Sequence, residues 1–113
     1  MPKTTKQTSK AEPYREALLE SLSDPEEAAH YLNACLEDED PGVFLLALRD
    51  VAEAHGGVRA VSRGAELNRE SLYRMLSRSG NPSLGSLAAL LKACGLRLGV
   101  RSARPVSRGR RVA

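Results

Sequence analysis

The sequence has no tryptophan, one phenylalanine and three tyrosines, so aromatics make up only 4% of its 113 residues. A core without large rings must be filled by Leu, Ala and Val, which suits a small helical bundle of one domain. No apolar run approaches the length of about 18 residues that a membrane span needs. The segment Met1 to Lys10 is polar and lacks the apolar centre of a secretory signal. Cysteine is scarce: Cys35 and Cys94 stand far apart, with no CxxC spacing, and His30 and His55 do not group with them. A cytoplasmic, reduced protein with no metal and no cofactor is expected. No Ser/His/Asp set or paired carboxylates appear either, so an enzyme is not expected.

One further shortage is local. From Val58 to Ala113 there are 2 Asp/Glu against 12 Lys/Arg, a net of +10. From Met1 to Gly57 the balance reverses, with 12 Asp/Glu against 5 Lys/Arg, a net of −7. An asymmetry of this size points to a basic nucleic-acid face joined to an acidic segment with another task.

Helix punctuation is dense along the chain. Residues 1–12 are Lys/Thr/Ser-rich and read as a disordered tail. A short amphipathic helix follows over Tyr14 to Leu22, carrying Leu18, Leu19 and Leu22. Asp24-Pro25 opens a second helix, with Asp24 as the N-cap and Glu27 as its reciprocal capping-box partner. Its apolar stripe is Ala28, Tyr31, Leu32, Cys35 and Leu36. The acidic run Glu37 to Asp40 ends it, and Asp40-Pro41 repeats the start signal. Phe44, Leu45, Leu48, Val51, Ala52 and His55 then continue at helical spacing up to Gly56-Gly57. His55, in the last turn, reads as a cap rather than a ligand.

Three short helical segments come next: Val58 to Ala65, Arg69 to about Arg78 behind the N-cap Asn68, and one capped by Ser83, carrying the apolar residues Leu84, Leu87, Ala88, Leu90 and Leu91, that Gly95 closes. Leu96, Leu98 and Val100 alternate with Arg97, Gly99 and Arg101, which predicts a short strand over 96–101. A lone strand is unstable, so a symmetry mate is the expected pairing partner. Residues 102–113 hold Arg104, Arg108, Arg110 and Arg111 without core formers and read as a flexible basic arm. The domain is thus expected over 13–101, divided into acidic helices (13–40), a DNA-binding core (41–95) and the strand.

Val61, Ala65, Leu67, Leu72 and Met75 fall where two short helices crossing steeply bury residues against each other, with Leu67 plugging the turn. Val58 to Arg78 is therefore expected to be a helix-turn-helix. Its second helix must turn Arg69, Glu70, Tyr73 and Arg74 outward, and such a helix places its first residues at base edges in the major groove. Arg can bond guanine O6 and N7 together, and Glu can accept from cytosine N4. Arg59, Ser71, Ser77, Arg78 and the loop residue Asn81 are candidates for phosphate contacts, which set register. A merely solvated helix face usually mixes signs at i, i+4. Here Arg69, Arg74 and Arg78 are opposed only by Glu70, with Arg59, Arg63 and Lys92 adding to the excess.

Four strings carry a more specific signal: Ala29-His30-Tyr31-Leu32-Asn33-Ala34-Cys35-Leu36-Glu37, Asn68 to Ser77, Gly80-Asn81-Pro82-Ser83, and Leu91 to Leu98. With them the stretch Tyr14 to Val100 resembles the addiction-module antidote proteins, small antitoxins of the HigA/Xre type related to phage repressor DNA-binding domains. The resemblance implies an all-α, five- to six-helix bundle of the lambda-repressor-like type that binds operator DNA as a homodimer and represses its own operon. It also implies a small RelE/HigB-like toxin, encoded beside it and neutralised by direct binding. Such toxins are commonly basic, and the acidic N-terminal half is a plausible surface for one. A stand-alone Xre-type regulator without a toxin is the alternative. Two positions depart from the pattern. Ser62 replaces the usual Ala, and Glu66 stands where the turn has Gly. A Glu forced into the left-handed region costs roughly 1 kcal/mol, unless the turn is wider and Gly64 absorbs part of the bend.

Overall fold

A computed structural model describes residues 13–104. Residues 1–12 and 105–113, where a disordered tail and most of a basic arm are expected, lie outside the described residues. Six helices follow in order: α1 (residues 13–22), α2 (Pro25–Cys35), α3 (Pro41–Ala54), α4 (Gly57–Ala65), α5 (Arg69–Met75) and α6 (Leu84–Ala93).

Local chemistry explains where the helices start. Asp24 accepts from the Glu26 N–H, Asp40 from Gly42, Asn68 from Glu70 and Ser71, and Ser83 from Ser86. Each cap satisfies an amide that the helix itself cannot, typically for about 1 kcal/mol. Among α2 to α6, α4 alone starts without a side-chain cap, because Gly56 and Gly57, with φ of 100° and 94°, fold the chain directly out of α3. The capping box expected at α2 does not form. The Asp24 N–H is already held by the Ser21 carbonyl at 3.1 Å, so the Glu27 carboxylate instead accepts from the Ser21 hydroxyl at 3.5 Å.

Helix ends explain the path through the bundle. At the end of α6 the Leu96 N–H donates to the Leu91 carbonyl and the Gly95 N–H to that of Lys92, with Gly95 at φ 78°. This double bond around a left-handed residue is the Schellman ending. The end of α4 repeats it: Leu67 N–H to the Ser62 carbonyl at 2.8 Å, Glu66 N–H to that of Arg63 at 3.2 Å, and Glu66 at φ 58°, ψ 45°. Glu66 is the one non-glycine with positive φ among the described residues. The wider turn is therefore not used. Gly64 sits inside α4 opposite the Ala93 methyl of α6, where a Cβ would make only ordinary van der Waals contact.

The core is one cluster built from every helix: Leu22, Ala28, Leu32, Leu48, Val51, Val61, Leu72, Leu76, Leu90 and Cys94 are among its buried members. α4 is the hub, touching α3, α5 and α6, while α2 packs on α3. Ser62 is the buried polar side chain among them, and its hydroxyl is satisfied by the Arg59 carbonyl at 2.9 Å. Cys35 and Cys94 are free, and burial pushes the Cys94 thiol up to about 11. His55 does cap α3 through its backbone N–H, yet its ring Nε2 is buried without a hydrogen-bond partner.

Several expected core positions turn out to be exposed. Leu36, the C-cap of α2, is exposed although its N–H still donates to the Leu32 carbonyl at 3.0 Å. Leu84 and Ala88 face outward on the solvent side of α6. The strand expected over 96–101 is absent from the described residues. Leu96 is tethered by the Schellman bond, while Leu98 and Val100 are exposed in irregular chain. Among the described residues no helix is long and apolar enough to cross a membrane.

Candidate nucleic-acid interface

Leu72 and Leu76 are fully buried, and they fix the rotation of α5. One helical turn apart, they turn Arg69, Glu70, Tyr73 and Arg74 to the outside, all four exposed as expected. Asn68 anchors the start of the helix by accepting from two amides, at 2.8 and 3.1 Å. Tyr73 is not loose on the surface, because the Arg49 guanidinium of α3 lies 5.4 Å from its ring centroid. This cation–π contact adds a third arginine to the face, one that no local sequence pattern marks.

Beside this face lies an open concavity of about 600 Å³ between the α4–α5 turn and the α5–α6 loop. It brings together Ser71, Arg74, Ser77 and Asn81 of the predicted residues. Asn68, Ser79 and Ser86 join them, as does Glu66. Hydroxyl, amide and guanidinium groups dominate, a donor set that suits phosphate oxygens. Arg74 also reaches the Ser71 hydroxyl at 3.5 Å, and the Ser77 hydroxyl donates to the Arg74 carbonyl at 2.9 Å. Gly80 is required at the rim, since a Cβ there would overlap the Met75 carbonyl.

Two predicted phosphate contacts sit elsewhere. Arg59 is exposed on α4 and does not line the concavity. Arg78 is engaged: its Nε and Nη2 donate to Asp40 Oδ2 at 3.1 and 2.8 Å. Asp40 is at the same time the cap of α3, and the Gly42 amide, more than Arg78, holds its carboxyl below the usual carboxylate range. The end of α5 is thus tied to the start of α3. Gly42 makes that approach possible, because a Cβ there would run into the Arg78 carbonyl. Among the described residues Arg69 and Arg74 make no ion pair.

The family described as "probable addiction module antidote protein" matches residues 15–102, which takes in the acidic helices and the whole of this face. The chain belongs to that family. An uncharacterized protein of Haemophilus influenzae is 35% identical over 85 residues, 75% of this chain and 87% of its own length. No solved structure matches the chain. Membership in an antidote family implies a toxin partner.

Proposed function

We propose that this antidote is a HigA/Xre-type antitoxin that reads operator DNA with α5, represses its own operon as a cytoplasmic homodimer and neutralises a small RelE/HigB-like toxin by direct binding. The observation that carries the DNA reading is the outward set Arg69, Glu70, Tyr73 and Arg74 beside a polar concavity. Base edges would meet the first turn of α5. Ser71, Ser77 and Asn81 would hold phosphates on one flank, with Arg59 farther out on α4. Arg78 joins them only if Asp40 releases it.

For the dimer, the segment Leu96 to Val100 supports pairing with a second copy, since its sequence alternates apolar residues with Arg97 and Gly99 and leaves Leu98 and Val100 exposed. For the toxin, the exposed run Glu37, Asp38 and Glu39 beside exposed Leu36 supports docking of a basic protein from the adjacent gene. The deciding experiment is selection of duplexes from a random pool by the full chain. Enrichment of one sequence, lost in Arg69→Ala and Arg74→Ala, is expected. Retention by both variants would leave α5 without a reading role.

A further inference from the structure

Beyond Val58 the chain carries two carboxylates, Glu66 and Glu70, against 12 cations, and both sit at the leading end of α5. Among the described residues neither makes an ion pair. Glu70 occupies the first turn, where the helix dipole favours an anion. Glu66 has no such local reward. It is exposed, it holds the left-handed slot that Gly95 fills at the matching end of α6, and it lines the concavity with Asn68, Ser71 and Arg74. A strained backbone position beside a binding surface points to function more than to architecture.

We propose that Glu66 is a specificity-determining residue of the DNA site, its carboxylate penalising docking wherever a phosphate or a base acceptor lies opposite. The inference rests on the reading of α5 as the recognition helix. A carboxylate only accepts hydrogen bonds, and in the major groove only the cytosine N4 and adenine N6 amino groups offer donors. Non-specific binding is carried by phosphate electrostatics, so a negative charge inside the patch weakens it most. At a matching site a base amino group offsets the repulsion. Specificity built from a repulsive element is a common complement to attractive contacts.

The test uses the full chain, a duplex selected by the wild type from a random pool, and a random duplex of equal length. Glu66→Gln removes the charge and keeps the left-handed strain, whereas Glu66→Gly removes both. Both variants are expected to bind the random duplex about fivefold tighter at low salt, with a smaller gain on the selected duplex. Their selectivity ratio then falls. An unchanged ratio in folded Glu66→Gln overturns the proposal, as does a fall seen in Glu66→Gly alone, since strain would then be the cause. If the wild type selects no sequence at all, the recognition-helix reading fails first and takes this proposal with it.

Discussion

In the acidic half of the molecule one set of charged side chains ties helices together, and in the basic half nearly all of the described ones face solvent without an ionic partner. Arg15 of α1 donates to Asp50 at 3.1 Å and Glu53 at 2.7 Å on α3. The Tyr31 hydroxyl of α2 donates to the other Asp50 oxygen at 3.1 Å, and burial, reinforced by Asp50, pushes that hydroxyl up to about 12. One network thus staples three helices. Beyond Val58 only Arg78 has an ionic partner among the described residues, and that partner, Asp40, belongs to the acidic half. Charge in the first half is therefore partly structural, and charge in the second half is available to a ligand. The acidic run Glu37 to Glu39 makes no ion pair among the described residues and stands beside exposed Leu36, which is why it is the stretch proposed for the toxin.

The largest effect is expected where the halves meet. Gly42→Ala forces a methyl into the Arg78 carbonyl, and a displaced backbone at a packed joint should cost about 3 kcal/mol in urea unfolding. An unchanged midpoint would mean that the two halves are not rigidly joined. Next, Arg69→Ala or Arg74→Ala should cost about 1–3 kcal/mol in DNA binding with the melting temperature unmoved. Arg15→Ala should do the reverse, lowering thermal stability while leaving DNA affinity in place. An equal loss of DNA binding in Arg15→Ala would erase the contrast between the halves.

Smaller effects sharpen the same picture. Glu66→Gly should raise stability by about 1 kcal/mol, because glycine takes the left-handed slot without strain; calorimetry reads this directly. Asp40→Asn keeps a capping oxygen but loses the ion pair, so it should free Arg78 and steepen the salt dependence of DNA binding by about one counterion per protomer. The pH dependence has a definite sign. The folded Asp40 carboxyl lies below its ordinary value, so its contribution is complete above the ordinary Asp range and is lost as pH falls through the depressed folded value. The acid limb of a stability profile should therefore flatten in Asp40→Asn.

Much of this fold is legible because its signals are local. Asp24-Pro25, Asp40-Pro41, Asn68 and Ser83 each cap an amide two or three residues away. The outward set on α5 follows from the burial of Leu72, one turn before buried Leu76. Leu76, the C-cap of α5, is also buried, though the apolar pattern read from the sequence stops at Met75. Contacts across long sequence separations leave no local mark. Arg78 reads as a free phosphate contact until the fold brings Asp40 beside it, and Arg49 looks like an ordinary α3 side chain until Tyr73 appears beneath it. The 96–101 alternation predicts a strand, yet a strand needs a neighbour, and the alternation alone does not supply one within the chain. Glu66 is the instructive case. Its departure from glycine is visible in the sequence, but only the Schellman bonds and the adjoining concavity give that departure a role.

The central claim is that α5 reads base sequence, and the most direct measurement is fluorescence anisotropy of the full chain on two labelled duplexes, one selected from a random pool and one scrambled, across a series of salt concentrations. The account predicts binding that weakens steeply with salt on both and a preference for the selected duplex of about a thousandfold, which collapses when Arg69 and Arg74 are both changed to Ala. Equal affinity for the two duplexes, or a preference that survives the double change, would contradict it.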